Sequence, residues 1–228
     1  GEDSAKELIL KSVQLAEEAR SRFLSLHPHA SKPLIAASIG PYGAYLADGS
    51  EYRGNYVISD QELSDFHEPR INLLDNSTAD ILACETIPSF QETEVLSEII
   101  EDIKKPVWVS FSCKDDKHLS DGTPIDKCAA LFAHHPTVFA IGVNCTSPEF
   151  ISALIRSIKT KSGNKKIVVY PNSGATYHAE SKTWSSLSDL YSCELMVKEW
   201  MDLGADIIGG CCGIGPQQIK AMRKLIPK

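Results

Sequence analysis

The hydrophobic positions of this chain fall into short, unbroken apolar runs separated by longer segments of mixed character. Unbroken runs, unlike alternating ones, are typical of strands that are covered on both faces of a parallel sheet. Six such runs occur: PLIAASIG (33–40), ADILACE (79–85), PVWVSFSC (106–113), VFAIGVNC (138–145), KKIVVYPNSG (165–174) and ADIIGGCC (205–212).

The segments between the runs repeat apolar residues every three or four positions, which is the spacing of a helix with one buried face. One helix is predicted at 4–26, before the first strand, and a second at 60–77, with Ser59 or Asp60 as its N-cap. Segment 40–56 is rich in Gly, Tyr and Asp and is predicted to be a long loop. The later helices are predicted at 89–103, 125–135, 147–158, 189–204 and 215–226.

The alternation of strands and helices predicts a single α/β domain over residues 1–228, as an open doubly wound sheet or a barrel. No G-x-G-x-x-G follows the first strand, which weakens the doubly wound dinucleotide-binding alternative. Polar residues directly follow several strands, and in a barrel all those strand ends meet at one mouth. We therefore expect a (β/α)8 TIM barrel. Since six strands are counted, we also expect that the first two strands are lacking in this chain.

Composition narrows the possible functions. The 228 residues carry a formal net charge of −7 without a basic block, so nucleic-acid binding is not expected. No apolar run approaches the roughly 18–20 residues that span a bilayer, and no membrane association is expected. The start of the chain lacks the pattern of a secretory signal, and the seven cysteines do not resemble a disulfide scaffold. A reducing, cytoplasmic location fits these features.

The adjacent Cys211 and Cys212 follow two glycines at the end of the last predicted strand. Those glycines allow the backbone to turn, so both sulfurs can converge on one point. Cys145 ends another strand and is a candidate third ligand, although spacing alone leaves its membership open. Three thiolates with one vacant position are typical of a catalytic zinc site. The other four cysteines are expected to fill the core: Cys84, Cys113, Cys128 and Cys193.

Five segments together resemble the homocysteine S-methyltransferase family: SIGPYGAYLADGSEYRGNY, ACETIPSFQE, GVNC, VVYPNSG and IGGCCG. The resemblance covers nearly the whole chain. It implies a zinc-containing (β/α)8 barrel with Cys145, Cys211 and Cys212 as metal ligands. It also implies methyl transfer from S-methylmethionine or S-adenosylmethionine to homocysteine, with these small molecules as the partners of the protein.

The resemblance implies that Glu85 holds the amino group of the amino-acid substrate. Asn144 and Ser173 are candidates to hydrogen-bond the substrate or to brace the mouth of the barrel. A sulfonium donor is a cation, and aromatic faces attract cations. We therefore expect one tyrosine of the 40–56 loop to contact the donor, and Tyr45 is the candidate. No histidine is expected to be a ligand, and His134 and His135 are expected at the surface.

Two departures from the family pattern leave alternatives open. The chain has no segment that matches the Asp-Gly motif of the family's first barrel strand, and GIGP follows the cysteine pair where an Arg or Thr-rich turn is common. The alternatives are a barrel that binds zinc or a partner without turnover, and a related enzyme with another thiol or selenol acceptor or with betaine as donor. A redox protein that uses the vicinal thiols is a further alternative.

Overall fold

The computed structural model describes residues 2–174, 177–178, 183–184 and 190–226, and the side chains of residues 195–226 in the last of these ranges. The helices are α1 (Glu2–Leu26), α2 (Tyr42–Leu46), α3 (Asp60–Asp75), α4 (Phe90–Ile99), α5 (Ile125–Phe132), α6 (Ile151–Lys159), α7 (Leu190–Leu203) and α8 (Pro216–Leu225). The strands are β1 (Ala36–Ile39), β2 (Ile81–Ile87), β3 (Val107–Phe111), β4 (Val138–Asn144), β5 (Lys166–Tyr170), β6 (Tyr177–His178), β7 (Thr183–Trp184) and β8 (Ile207–Ile208).

The six predicted strands form one parallel sheet in the order β1-β2-β3-β4-β5-β8, and β6 pairs with β7 in a separate antiparallel ribbon. The strand order follows the chain, whereas a doubly wound sheet reverses its order at a switch point. The predicted α/β class is therefore confirmed, and the doubly wound alternative is wrong. Within the described residues, β1 and β8 each pair with a single neighbour, so the observed sheet is a curved half-barrel.

The face of the sheet that meets the helices forms the main core. Alternate strand residues such as Leu82, Val109 and Ile141 are fully buried there, together with apolar residues of the helices such as Leu96 and Phe132. On the opposite face the strands carry polar and aromatic side chains, including Ser38, Glu85 and Tyr170. Because side chains alternate between the faces of a strand, these polar residues stay out of the core and converge inside the half-barrel.

The helix predicted at 60–77 is α3. Its N-cap is Ser59: the Ser59 side chain accepts a hydrogen bond from the Glu62 backbone, and the Glu62 carboxylate accepts one from the Ser59 backbone. This reciprocal capping box satisfies two backbone donors at the helix start. Of the two residues that the sequence offered as the cap, the structure selects Ser59.

The segment predicted as a loop at 40–56 contains α2 and a short 3-10 helix at Ser50–Tyr52. Glu92 of α4, which is fully buried, holds this segment in place. The Glu92 carboxylate accepts hydrogen bonds from the Tyr42 backbone N–H (2.6 Å) and pairs with the buried His67 ring (2.7 Å). A charge that is removed from water requires such partners. The segment is thus more ordered than predicted because a distant carboxylate supplies its hydrogen bonds.

Asp80 ties the start of the sheet together. Its carboxylate accepts a hydrogen bond from the Ile35 backbone N–H (2.8 Å) and pairs with Arg20 of α1 and with Lys32. The Ile35 hydrogen bond, with the two cationic partners, holds the pKa of Asp80 below its usual range. Within the described residues, no helix has both the length and the apolar character needed to cross a membrane.

Candidate active site

The ends of β4 and β8 bring three cysteine sulfurs into one cluster. The Sγ atom of Cys145 lies 3.0 Å from that of Cys211 and 3.4 Å from that of Cys212, and the last two are 4.0 Å apart. Cys145 is buried, and the other two are half-buried. The structure therefore brings together the three cysteines that the sequence indicated, including Cys145, which spacing alone left open.

The position of Cys145 depends on an unusual backbone conformation. Its φ of 50° lies in the left-handed region, which residues other than glycine rarely adopt and which costs on the order of 1 kcal/mol or more. The Cys145 N–H donates to the Tyr170 carbonyl at the end of β5 (3.3 Å), which holds this turn against the neighbouring strand. Thr86, near the end of β2, has a φ of 64° and lies where the pairing of β2 with β3 shifts its register. Strained residues thus occur at the carboxyl ends of two strands of the sheet.

The Cys211–Cys212 turn is held by the backbone of the neighbouring loop. The Cys211 N–H donates to the Pro171 carbonyl (2.8 Å), and the Ser173 N–H donates to the Cys212 carbonyl (2.9 Å). Gly210 has no space for a side chain, because a Cβ there would lie 2.1 Å from Cγ2 of Ile214. The glycine before the cysteine pair is therefore required by close packing inside the turn.

The three thiols share charge unequally. Hydrogen bonds from Cys145 and Cys211 lower the pKa of the Cys212 thiol to about 3. The same contacts, which Cys145 makes as a donor, raise the pKa of Cys145 well above its usual value, and burial adds to the effect. Cys212 is therefore the sulfur of the cluster that most readily carries a negative charge. Such a group of soft anionic donors is suited to a thiophilic cation.

Glu85 lies on the inner face of the half-barrel, directly before the strained Thr86. Its two carboxylate oxygens accept hydrogen bonds from the Ser38 hydroxyl (2.5 Å) and the Tyr170 hydroxyl (2.8 Å). The side chain is half-buried, so one side of the carboxylate remains accessible. A fixed, partly accessible carboxylate is suited to receive a substrate ammonium group.

Asn144 is buried and connects Glu85's strand with the cysteine cluster. Its side-chain oxygen accepts from the Thr86 N–H (2.7 Å) and the Ser110 hydroxyl (2.8 Å), and its amide nitrogen donates to the Thr86 hydroxyl (2.7 Å). The same nitrogen lies 4.0 Å from the Cys211 sulfur. These bonds agree with the bracing alternative for Asn144. Ser173 is buried beside the cysteine turn, where its backbone makes the contact described above.

The tyrosines of the 40–56 segment take separate positions. Tyr45 is 70 % exposed and packs against Tyr42 and Phe66. Tyr52 instead reaches the cluster, with its hydroxyl 3.9 Å from the Cys145 sulfur. From the sequence, every tyrosine of the 40–56 segment was a candidate to contact the donor, and Tyr45 was the one chosen. Nothing in the local pattern distinguishes them, because the choice depends on how the segment folds over the sheet.

Most of the remaining cysteines behave as predicted. Cys84 and Cys128 are fully buried in the core, and Cys113 packs against it. Burial raises the pKa of each of these thiols, so they stay protonated. Cys193 lies outside the residues whose side chains are described. The prediction for His135 is wrong: it is buried, and its ring pairs with the Ser97 carbonyl (2.9 Å).

Sequence reasoning missed the polar residues that support Glu85. Tyr170, Ser110 and Ser38 lie on the inner face, each as a hydroxyl within an otherwise apolar strand. Those hydroxyls were a usable signal, since a hydroxyl inside an apolar strand requires a partner. The sequence could not indicate which partner it has.

Comparisons with known proteins agree with this site. The family model for homocysteine S-methyltransferase matches residues 1–226. A homocysteine S-methyltransferase of Bacillus subtilis is 47 % identical over 223 residues, which cover 96 % of this chain and 70 % of that protein. A homocysteine S-methyltransferase of Escherichia coli is 44 % identical over 225 residues, covering 97 % of this chain and 72 % of that protein.

Solved structures of the homocysteine methyltransferase MmuM from Escherichia coli have the same fold. The oxidised form superposes with a TM-score of 0.87 and 41 % identity, and the metallated form with a TM-score of 0.85 and 41 % identity. Each match covers 98 % of this chain and 72 % of the other chain. Given the family match over nearly every residue and relatives of this identity, the chain belongs to the homocysteine S-methyltransferase family of enzymes.

Proposed function

We propose that this homocysteine S-methyltransferase is zinc-dependent and that its methyl donor is a sulfonium compound, S-methylmethionine or S-adenosylmethionine. The methyl group passes to the thiol of homocysteine and gives methionine. The observation that carries the proposal is the meeting of three cysteine sulfurs, from two distant parts of the chain, within 4.8 Å of one another.

The three sulfurs fit a zinc ion. Zn–S bonds of about 2.3 Å in a tetrahedron place sulfurs about 3.8 Å apart. The observed separations of 3.0, 3.4 and 4.0 Å lie around that value, so side-chain adjustments of less than about 1 Å would complete the arrangement. Three protein ligands leave a fourth position for a substrate, which is the pattern of catalytic rather than structural zinc.

Zinc held by these cysteines would deprotonate a coordinating homocysteine thiol, which is only a few per cent ionised at about pH 7 when free. The protein residues fix the rest of the substrate. Glu85 accepts hydrogen bonds from the homocysteine ammonium group, and Asn144 keeps the Glu85 strand and the Cys211 turn in register. Holding the reacting atoms in line supplies a large part of the acceleration.

The reaction balances without a further reactant. The sulfur of homocysteine supplies an electron pair and forms the new S–CH₃ bond, while the S–CH₃ bond of the donor breaks and its electrons stay on the donor sulfur. The sulfonium charge is thereby neutralised, and the homocysteine thiol proton leaves to solvent. Tyr52 lies close to this transfer, because its hydroxyl approaches Cys145. Its ring is a candidate to attract the cationic donor.

A direct test supplies the purified chain with homocysteine and, separately, S-methylmethionine, S-adenosylmethionine and betaine, and measures methionine by mass spectrometry. Metal analysis of the same preparation measures zinc per chain. About one zinc per chain together with methionine formed from a sulfonium donor supports the proposal. Zinc without turnover identifies a non-catalytic barrel, a preference for betaine overturns the sulfonium donor, and no zinc with reversible thiol oxidation identifies a redox protein.

We also propose that the six strands of the sheet are strands of a (β/α)8 barrel and that residues 1–228 belong to one domain. The chain-order sheet and the fit to 72 % of the Escherichia coli chain support this interpretation. A cytoplasmic location is proposed as well, supported by the six described cysteines, all of which are free. Mass spectrometry of alkylated protein isolated from cells would show whether those thiols are reduced in place.

A further inference from the structure

Tyr170, the last residue of β5, lies at the centre of a partly buried hydrogen-bond network. Its hydroxyl contacts the Glu85 carboxylate (2.8 Å), the Ser110 hydroxyl (2.6 Å) and the Trp108 indole N–H (3.0 Å). These partners come from β2 and β3, so a single oxygen atom connects β5 with two strands on the other side of β4. A phenylalanine would fill the same apolar space, and only the hydroxyl explains these contacts.

The directions of the Trp108 and Glu85 hydrogen bonds follow from the chemistry of the partners, and the single Ser110 proton is then shared between the Tyr170 oxygen and the side-chain oxygen of Asn144. The Trp108 indole N–H can only donate, and an ionised Glu85 carboxylate can only accept. The single Tyr170 proton therefore points at Glu85, and its oxygen accepts from Trp108. Burial, and then the neighbouring Glu85 charge, raise the pKa of Tyr170, so the phenol keeps this proton at neutral pH. Donation into the Tyr170 oxygen strengthens its own donated bond.

The network extends from Glu85 to the cysteine cluster. Ser110 contacts both Tyr170 and the side-chain oxygen of Asn144, whose amide nitrogen approaches the Cys211 sulfur. At the other end, Ser38 donates to the second oxygen of Glu85. Both carboxylate oxygens are therefore held by side chains, and the carboxylate is fixed relative to the sulfurs that follow β4 and β8.

We propose that Tyr170 is a positioning residue for homocysteine: its hydroxyl orients the Glu85 carboxylate so that the ammonium group is received while the substrate sulfur reaches the cysteine cluster. This inference rests on the proposed role of Glu85. A carboxylate that lost one of its two supports would rotate toward solvent and bind the ammonium group less well. The sulfur chemistry itself does not involve Tyr170.

The test compares the parent protein with Tyr170→Phe, which removes only the hydroxyl. We expect the Kd and KM for homocysteine to rise about tenfold or more, as for the loss of one hydrogen bond to a charged group, with kcat within about threefold and zinc content unchanged. The Kd for 4-mercaptobutanoate, which is homocysteine without its amino group, should stay the same. Equal weakening of both ligands, or no weakening, overturns the proposal.

Glu85→Gln distinguishes the inference from the proposed function. If Tyr170 acts through Glu85, adding Tyr170→Phe to Glu85→Gln produces little further rise in Kd, whereas independent roles produce additive losses and overturn the inference. If Glu85→Gln alone leaves the homocysteine Kd unchanged, the proposed role of Glu85 fails, and the inference fails with it.

Thr137→Val is the matched control, since it also removes one partly buried hydroxyl, which donates to the Ile100 carbonyl before β4 begins. It should lower stability without changing the homocysteine Kd. If Tyr170→Phe does not fold, Trp108→Phe serves as the second variant, because it removes one bond into the Tyr170 oxygen. It should raise the homocysteine Kd by a smaller factor with the same selectivity over 4-mercaptobutanoate, and an unchanged Kd overturns the proposal.

Discussion

Replacing Cys145 with alanine tests the sulfur cluster most directly. Cys145 joins the other two cysteines: its sulfur is 3.0 and 3.4 Å from theirs, whereas Cys211 and Cys212 are 4.0 Å from each other. It also comes from a different strand, 66 positions before Cys211. Without it, the site is reduced to two sulfurs on one turn.

The expected loss can be worked from the number of ligands. Binding of structural zinc by four ligands has an apparent free energy of about 10–16 kcal/mol, or roughly 2.5–4 kcal/mol for each ligand. Here three thiolates supply most of the binding, so losing one weakens the affinity by about 10²–10³-fold.

The assay is competition for zinc against a chromophoric chelator under reducing conditions, with methyl transfer measured on the same samples. Cys84→Ala is the matched control, because Cys84 is a fully buried cysteine that packs in the core away from the cluster. It should lower the free energy of unfolding and leave the zinc affinity unchanged. A zinc affinity of Cys145→Ala within tenfold of the parent, or an equal loss in Cys84→Ala, would refute the reasoning.

Three further predictions concern the structure that supports the site. Glu92→Leu leaves a buried histidine and a backbone N–H without their partner, so it should lower the free energy of unfolding by about 3–5 kcal/mol in urea titrations, and a loss below 1 kcal/mol would contradict this. Gly210→Ala drives a methyl group into Ile214 and should cost about 1–3 kcal/mol and weaken zinc binding; an unchanged melting temperature would show that the turn has room. Asp80→Asn should destabilise the protein at pH 7. Because the folded-state pKa of Asp80 is lowered, the contribution of its carboxylate to stability is present above the unfolded pKa of about 4 and is lost as the pH falls below it. The difference in the free energy of unfolding between Asp80→Asn and the parent should therefore shrink between pH 7 and pH 3.5, and a constant difference would contradict the prediction.

The elements of the fold were largely readable from local patterns. The apolar run at 138–145 predicts a strand, and β4 spans Val138–Asn144. The capping signal before the helix at 60–77 is confirmed at Ser59, since capping depends on residues three positions apart. In the 40–56 segment the local pattern failed, because a carboxylate on another helix supplies the hydrogen bond that orders Tyr42.

The same distinction between local pattern and tertiary packing applies to the site. The sequence by itself determined the order of strands and helices, the glycine-flanked cysteine pair and the family resemblance, because these depend on neighbouring residues. Only the tertiary structure decided that Cys145 meets Cys211, that Tyr52 rather than Tyr45 approaches the sulfurs, and that Tyr170 supports Glu85 from 85 positions away. The physical reason is that sheet register and backbone strain set these distances, and both depend on packing between strands that are distant in the chain.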